Sequence, residues 1–285
     1  MACDRLPLIA PWRRLRPRVA GREGCPFCLG NESMTPPAVG VAVGSGLGAK
    51  ILWSDSPGSW TARIIPNLYP AAKHGEGEVR GFHEVVVESP RHVEHPHEDL
   101  ESFEAGLKLA FYRLEALWRL DWIVFVAWFK NSGRLAGASI SHVHSQIIAL
   151  NAKPPCIPSK PEPSKDLAIS AYDKAILYSH PKPEANYHLA ITSFHPAGRP
   201  WLENLNIIKG LAKLIAESTR FYVECLGIDS YNAWLWTPPK GGGEGWWVEV
   251  APSRPLGGLE RGYNIYVVET PPEEVAREAR KCLRR

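Results

Sequence analysis

The chain has 285 residues, of which 45% are hydrophobic and 22% charged, and its 33 basic and 30 acidic residues leave a formal net charge of +3. That balance excludes the whole-molecule field of a nucleic-acid binder, so any phosphate recognition has to be local. No apolar run approaches the ~20 residues that cross a bilayer, and the opening MACDRLPLIAPWRRLRPR lacks the apolar centre of a signal peptide; a soluble cytoplasmic protein with no membrane or nucleic-acid partner is expected.

In chain order, the first feature is the basic run PWRRLRPR (11–18), ordinarily a solvated arm, whose guanidinium forks also suit a diphosphate. The CPFC pair follows, and Cys25 and Cys28 can hold one edge of a tetrahedral zinc. No second close cysteine pair exists downstream, so histidines must complete the site, and His92, His95, His97 and His142 are all open as ligands. The scattered positions of Cys3, Cys156, Cys225 and Cys282 suit a metal or redox pair at 25–28 better than a disulfide framework.

Short strands are expected near 50–53, 62–66, 83–88, 122–129 and 143–149. RIIPNLYPA (63–71) reads as strand, turn and loop, with Asn67 and Tyr69 either as turn residues or as contacts to a base and ribose. Leu100, Phe103, Leu107, Phe111, Leu114 and Trp118 recur at helical spacing behind Glu98 and Asp99, acidic groups that the helix dipole favours at that end. The glycines of KNSGRLAGAS (130–139) allow close backbone approach, and Asn131 and Ser139 offer neutral donors there.

SISHVHSQIIAL (139–150) then sets His142, His144 and Gln146 at alternate positions, which places them on one face of a strand whose other face is apolar. A neutral imidazole is a competent nucleophile toward phosphorus, provided its second ring nitrogen holds the proton against some acceptor. Gln146 is the only glutamine in the chain, methionine occurs twice and proline 26 times, a pattern of heat-adapted proteins. A glutamine kept only here points to a need for its amide.

The proline-rich stretch 152–166 reads as a connector between halves 1–151 and 167–285. Shifting the chain by 105 residues lays FHEVVV (82–87) on YHLAIT (187–192), and HVHSQII (142–148) on WVEVAPS (247–253). Trp247 then replaces the first histidine and Glu249 the second. A second long helix is marked by Leu205, Ile208, Leu211, Ile215 and Tyr222, and a final one by PEEVAREARKCLRR (272–285). The expected fold is α+β, a duplicated unit in which each half is an antiparallel sheet with one long helix and the second copy has lost the histidine motif.

CPFCLGNE, RIIPNLYPA, HEVVVESPRHVEH and FKNSGRLAGASISHVHSQ, with the duplicated halves, together resemble the galactose-1-phosphate uridylyltransferase family of the histidine triad superfamily, over about residues 8 to 150 and more weakly beyond. The resemblance implies a covalent nucleotidyl-His144 intermediate, with UMP exchanged between UDP-glucose and galactose 1-phosphate. Gln146 would hold a phosphoryl oxygen where histidine triad hydrolases carry a third histidine. Cys25, Cys28, His92 and His142 would bind a structural zinc. Asn67 and Tyr69 match positions near the base and ribose, and Asn131 and Ser139 positions around the phosphates. Arg13 and Arg16 match arginines that reach a neighbouring subunit's site, implying a homodimer, and Glu260 and Tyr266 fall where the hexose is contacted. SHVHSQ in place of HPHGQ is closer to the branch that includes ADP-glucose phosphorylase, so an ADP-sugar phosphorylase is the nearest alternative, and a non-catalytic nucleotide-binding zinc protein the alternative of another class. With Trp247 and Glu249 where some members carry a histidine pair, no iron is expected.

Overall fold

A computed structural model describes residues 6–15, 24–54, 58–75, 77–156, 158–193, 205–242 and 245–284. The first half contributes β1 (Gly40–Val43), β2 (Lys50–Leu52), β3 (Ala62–Pro66), β4 (Gly81–Val87), β5 (Phe125–Ser132) and β6 (His144–Leu150). The second contributes β7 (Ala168–Tyr172), β8 (Ala175–Ser179), β9 (Leu189–Ser193), β10 (Tyr231–Trp236) and β11 (Trp247–Pro252). All eleven pair antiparallel in one sheet, in the order β2-β1-β3-β4-β6-β5-β10-β11-β9-β8-β7. The expected strands are all present within a few residues, and β1 is an addition. The halves do not keep separate sheets: β5 pairs with β10 from Tyr231↔Ser132 to Trp234↔Phe129, which makes the sheet continuous.

Two long helices cover one face of this sheet. α1 (Leu100–Trp118) packs on β1, β3, β5 and β6, and α2 (Leu205–Arg220) on β7, β8 and β9, with α1 and α2 in contact. Asp99 caps α1 by accepting from the Ser102 amide, a bond of the kind that contributes about 1 kcal/mol to a helix. The helix-side core joins Phe103, Leu107, Phe111 and Leu114 of α1 to Trp128 and Ile147 of the strands, and Leu211 and Ile215 of α2 to Leu177, Leu189 and Val250. The short α3 (Gly258–Tyr263) precedes α4 (Pro272–Leu283), which packs against β7 and β8.

Cross-strand partners share a face, so the registers define what lies on the side away from the helices. Gln146 is opposite Val85 on β4 and Phe129 on β5, and His144 is opposite Val87, while Trp128 and Ile147 point into the helix-side core. The helices thus leave one face of β4, β5 and β6 for other work, and β6 carries His144 and Gln146 there.

Two details correct the sequence reading. Cys225 and Cys282, 57 residues apart, form a disulfide that ties the end of the α2 segment to α4, although the cysteine spacing argued against a disulfide framework. The glycines of 130–139 were expected to let backbone approach a ligand, yet Gly133 serves contact between the halves: its φ is +77°, and a Cβ there would lie 2.7 Å from the Asp229 carbonyl and collide with Ser230 Oγ. A Gly133→Ala variant combines an unfavourable backbone angle with that collision and is expected to lose about 1–3 kcal/mol of stability. A urea midpoint unchanged from the parent would contradict this account of the junction.

Candidate active site and metal centre

Four donors gather beside the start of β6. Cys25 Sγ lies 3.6 Å and Cys28 Sγ 3.7 Å from His142 Nδ1, and Cys28 Sγ is 3.4 Å from His92 Nδ1. Metal–ligand lengths of 2.3 Å to sulfur and 2.0–2.1 Å to nitrogen give tetrahedral S···N edges of about 3.6 Å, so the spacing fits a four-coordinate centre. The proton placement fits as well. His142 Nε2–H donates to the Ser89 carbonyl at 2.9 Å, which puts the ring's lone pair on Nδ1, facing the sulfurs. Burial pushes the His142 imidazole down to about 4, so the ring is neutral at ordinary pH.

The centre is held on both sides. Arg63 on β3 donates to the Pro26 carbonyl (2.9 Å) and to Thr35 Oγ1 (3.0 Å), anchoring the CPFC loop to the sheet. His95 and His97, left open by the sequence, are engaged elsewhere: His95 Nδ1 is 3.1 Å from Tyr231 Oη, and His97 Nδ1 is 3.0 Å from Thr219 Oγ1, both partners belonging to the second half.

β6 begins at His144, so His142 belongs to the approach to the strand and turns toward the sulfurs while His144 and Gln146 share the strand's open face. The two histidines remain linked, because His144 Nδ1 lies 2.7 Å from the His142 carbonyl. A carbonyl only accepts, so Nδ1 carries the proton and the neutral ring has its lone pair on Nε2. His144 is 5% exposed, yet it lines an open pocket of about 250 Å³ with Phe27, Ile65, Asn67, Tyr69, Ser139 and Gln146. The Phe27 ring packs edge-on at 5.4 Å from the imidazole.

Beneath the strand, on the helix side, Lys130 Nζ donates to the His144 carbonyl (2.7 Å) and to Glu88 Oε2 (2.6 Å). Both side chains are fully buried, at 1% and 0% exposure, and burial pulls the lysine pKa down against the opposing pull of Glu88. A buried pair of this kind costs desolvation and is retained where it fixes geometry; here it clamps the backbone of the histidine strand.

The sequence reading overlooked His83 of β4. The Ala71 amide donates to its Nδ1 at 2.8 Å, and its Nε2 lies 2.9 Å from Gln146 Oε1. The histidine was visible in the repeat FHEVVV/YHLAIT, where it recurs as His188, but it read only as part of the scaffold.

The other expected residues divide. Asn67 and Tyr69 line the pocket, with Asn67 Oδ1 accepting from the Tyr69 amide at 2.8 Å. Ser139 lines it too, whereas Asn131 sits in a small adjoining recess with His142 and His144, its Oδ1 accepting from Asn232 Nδ2 at 2.8 Å. Arg13 donates to the Tyr69 carbonyl at 2.8 Å, on the pocket rim of its own chain, and Arg16 lies outside the described residues. Glu260 caps α3 and pairs with Arg254 at 2.9 Å, and Tyr266 donates to Asn264; neither lines the pocket that holds His144.

On β11, Glu249, which the 105-residue shift aligns with His144, gathers His180 and His188, a buried cluster of ligand-type side chains that the sequence reading did not foresee. Here the hydrogen bonds run the other way from those at His142. The Lys182 and Glu184 amides donate to Nδ1 of His180 (3.1 Å) and His188 (3.2 Å), which puts the ring protons on Nε2, toward the carboxylate. His188 Nε2 is 3.0 Å from Glu249 Oε2, though off the line of a good hydrogen bond, and Trp247 Nε1 donates to Oε1 at 2.6 Å. Burial alone would raise the Glu249 pKa, but these neighbours hold it below the ordinary carboxylate value.

No family model matches the sequence. A sequence comparison finds ADP-glucose phosphorylase of Arabidopsis thaliana, 27% identical over 302 residues that cover 91% of this chain and 82% of the relative. Among solved structures, an ADP-glucose phosphorylase from Arabidopsis thaliana with bound ADP-glucose matches with a TM-score of 0.76 at 24% identity, covering 95% of this chain and 94% of that one. A uridylyltransferase mutant reaches a TM-score of 0.76 at 18% identity over 97% and 94% of the two chains. The chain has the fold of these proteins, and its resemblance to the galactose-1-phosphate uridylyltransferase family, with the ADP-glucose phosphorylase branch, is borne out.

Buried neutral histidines also set a pH response. Burial pulls His95 down to about 4, and burial with the neighbouring His188 does the same to His180, whereas an unfolded histidine titrates near 6.5. Between those values the unfolded chain binds the extra protons, so stability is expected to fall as pH drops through about 6.5 toward about 4 and to lose nothing further from these rings below that. The melting temperature should be lower at pH 5 than at pH 7; an equal or higher value at pH 5 would contradict the burial of these rings as neutral groups.

Proposed function

We propose that the protein is a nucleotidyltransferase or phosphorylase that acts on nucleoside-diphosphate sugars through a covalent nucleotidyl-His144 intermediate. The observation that carries this reading is the His144 Nδ1–H bond to the His142 carbonyl, which gives the uncharged form of the ring its lone pair on Nε2, in a pocket shared with Gln146. In the first half-reaction Nε2 bonds to the α-phosphorus and the bond to the sugar 1-phosphate breaks. In the second, an acceptor oxygen attacks the same phosphorus and the imidazole leaves. The protein's task is then positioning and charge stabilisation. Gln146 suits transfer over hydrolysis, because an amide does not exchange protons with water as a third imidazole would.

ADP-glucose with inorganic phosphate as acceptor is the preferred pair. It is supported by the 27% identical ADP-glucose phosphorylase and by the SHVHSQ form of the motif. UDP-glucose with galactose 1-phosphate, the pair expected first from the sequence, is the second reading, favoured by the uridylyltransferase fold likeness. Asn67 and Tyr69 would meet the base and ribose, and Asn131 and Ser139 the phosphates. Cys25, Cys28, His92 and His142 would hold a structural zinc, which fixes the approach to β6 and takes no part in the transfer. A cytoplasmic location fits substrates whose phosphates bar them from crossing membranes.

The halves 1–151 and 167–285 are read as copies of one unit, a view supported by the mirrored run β4-β6-β5-β10-β11-β9 at the centre of the sheet. A homodimer is also proposed. Leu256, Leu259, Tyr263, Ile265 and Val267 are exposed on the segment that carries Glu260 and Tyr266, and a second copy would cover this apolar strip and bring those two residues toward the partner's pocket.

Separate incubation with labelled ADP-glucose and UDP-glucose tests the function. ADP-glucose is expected to leave acid-labile, base-stable label on the protein faster than UDP-glucose, and His144→Asn to leave none. Faster labelling by UDP-glucose, discharged by galactose 1-phosphate, would replace the adenylyl reading, and no label from either would end the covalent mechanism. For the dimer, sedimentation equilibrium is expected to give twice the 31.7 kDa chain mass, and Ile265→Asp with Val267→Asp to give a monomer; a monomeric parent would remove the proposal.

A further inference from the structure

We infer that His83 is a positioning residue that decides which end of the Gln146 amide meets the transferring phosphoryl group, and that it ties this choice to the loop 67–71. The inference rests on the nucleotidyl-transfer reading of the pocket. A carboxamide has two unlike ends, an oxygen that only accepts and an NH₂ that only donates. Toward an anionic phosphoryl oxygen the NH₂ end stabilises and the oxygen end repels, so the orientation of one amide changes the sign of its contribution.

The surroundings of Gln146 fix that orientation. Opposite Val85 on β4 and Phe129 on β5, it has His83 as its diagonal neighbour on the same face. Both side chains are buried, so an unmatched polar contact between them would not be relieved by water. Because the Ala71 amide donates to His83 Nδ1 at 2.8 Å, the neutral ring carries its proton on Nε2, the atom 2.9 Å from Gln146 Oε1. The glutamine oxygen is thereby committed to the ring, and the NH₂ group is the end available to a phosphate. The loop takes part directly, because Ala71 supplies the amide that sets the tautomer; Asn67 Nδ2, 3.3 Å from the same Nε2, is itself a donor and makes no hydrogen bond to the protonated ring nitrogen. A shift of this loop away from β4 therefore loosens the ring that orients the amide.

Four variants test this: His83→Leu, which keeps the volume and removes the donor; His83→Gln, whose NH₂ reaches the place of Nε2–H; Gln146→Ala; and the double variant His83→Leu/Gln146→Ala. In single-turnover reactions with labelled ADP-glucose, His83→Leu should slow formation of nucleotidyl-His144 by about 10- to 100-fold, as loss of an orienting partner does elsewhere, with little change in the half-saturating substrate concentration. His83→Gln should recover most of that rate, and His83→Leu should have no further effect once Gln146 is Ala. Equal losses in both backgrounds, or a glutamine no better than leucine, would overturn the inference and leave the transfer mechanism standing.

A second readout does not depend on turnover. Gln146 is the only glutamine, so selective labelling gives one side-chain carbonyl and one NH₂ signal in NMR spectra. The carbonyl carbon should shift in His83→Leu and hold its place in His83→Gln; an unmoved signal in His83→Leu overturns the inference, even for a protein that transfers no nucleotide.

Discussion

One backbone carbonyl joins the two parts of the site. The oxygen of His142 accepts Nδ1–H of His144, while the His142 ring turns its own Nδ1 toward Cys25 and Cys28 and its Nε2–H toward Ser89. The residue that completes the donor cluster is therefore also the residue that sets the tautomer of the ring two positions on. A metal at those four donors would hold the approach to β6, and with it the carbonyl, without touching the reacting phosphorus. In the proposed transfer, a closed tetrahedral centre at these donors would act through position, its four protein ligands leaving no place for a Lewis-acid role.

The rest of the fold stiffens the same short stretch. Lys130, paired with Glu88 against α1, holds the His144 carbonyl from below, and Arg63 holds the cysteine loop from the side. The second half contributes as well. Asn232 reaches across the β5–β10 junction to Asn131, and Tyr231 and Thr219 take up the two histidines that do not join the metal cluster. On β11, Glu249 gathers His180 and His188 with their ring protons turned toward a carboxylate, whereas at His142 a ring lone pair faces the cysteine sulfurs.

What the sequence revealed follows the range of the physics involved. Local periodicity located five of the six first-half strands and the three longer helices, and the alternation of His142, His144 and Gln146 pointed to the pocket that His144 and Gln146 line. The tight CPFC spacing announced a metal cluster, but three histidines within six residues left its third ligand open until the fold showed which ring faced the sulfurs. The β5–β10 pairing and the Cys225–Cys282 bond join residues far apart in sequence, and no local pattern encodes either. His83 escaped for another reason: a histidine in an apolar strand looks like a satisfied core residue, and only the cross-strand register shows that it faces Gln146.

The account depends most on the protonation of one ring. Nitrogen-15 NMR of the side-chain histidines, with His144 assigned by its absence in His144→Asn, distinguishes the two tautomers directly. At neutral pH the account predicts a proton on Nδ1 of His144 and none on Nε2. A ring protonated on Nε2, or on both nitrogens, would contradict it.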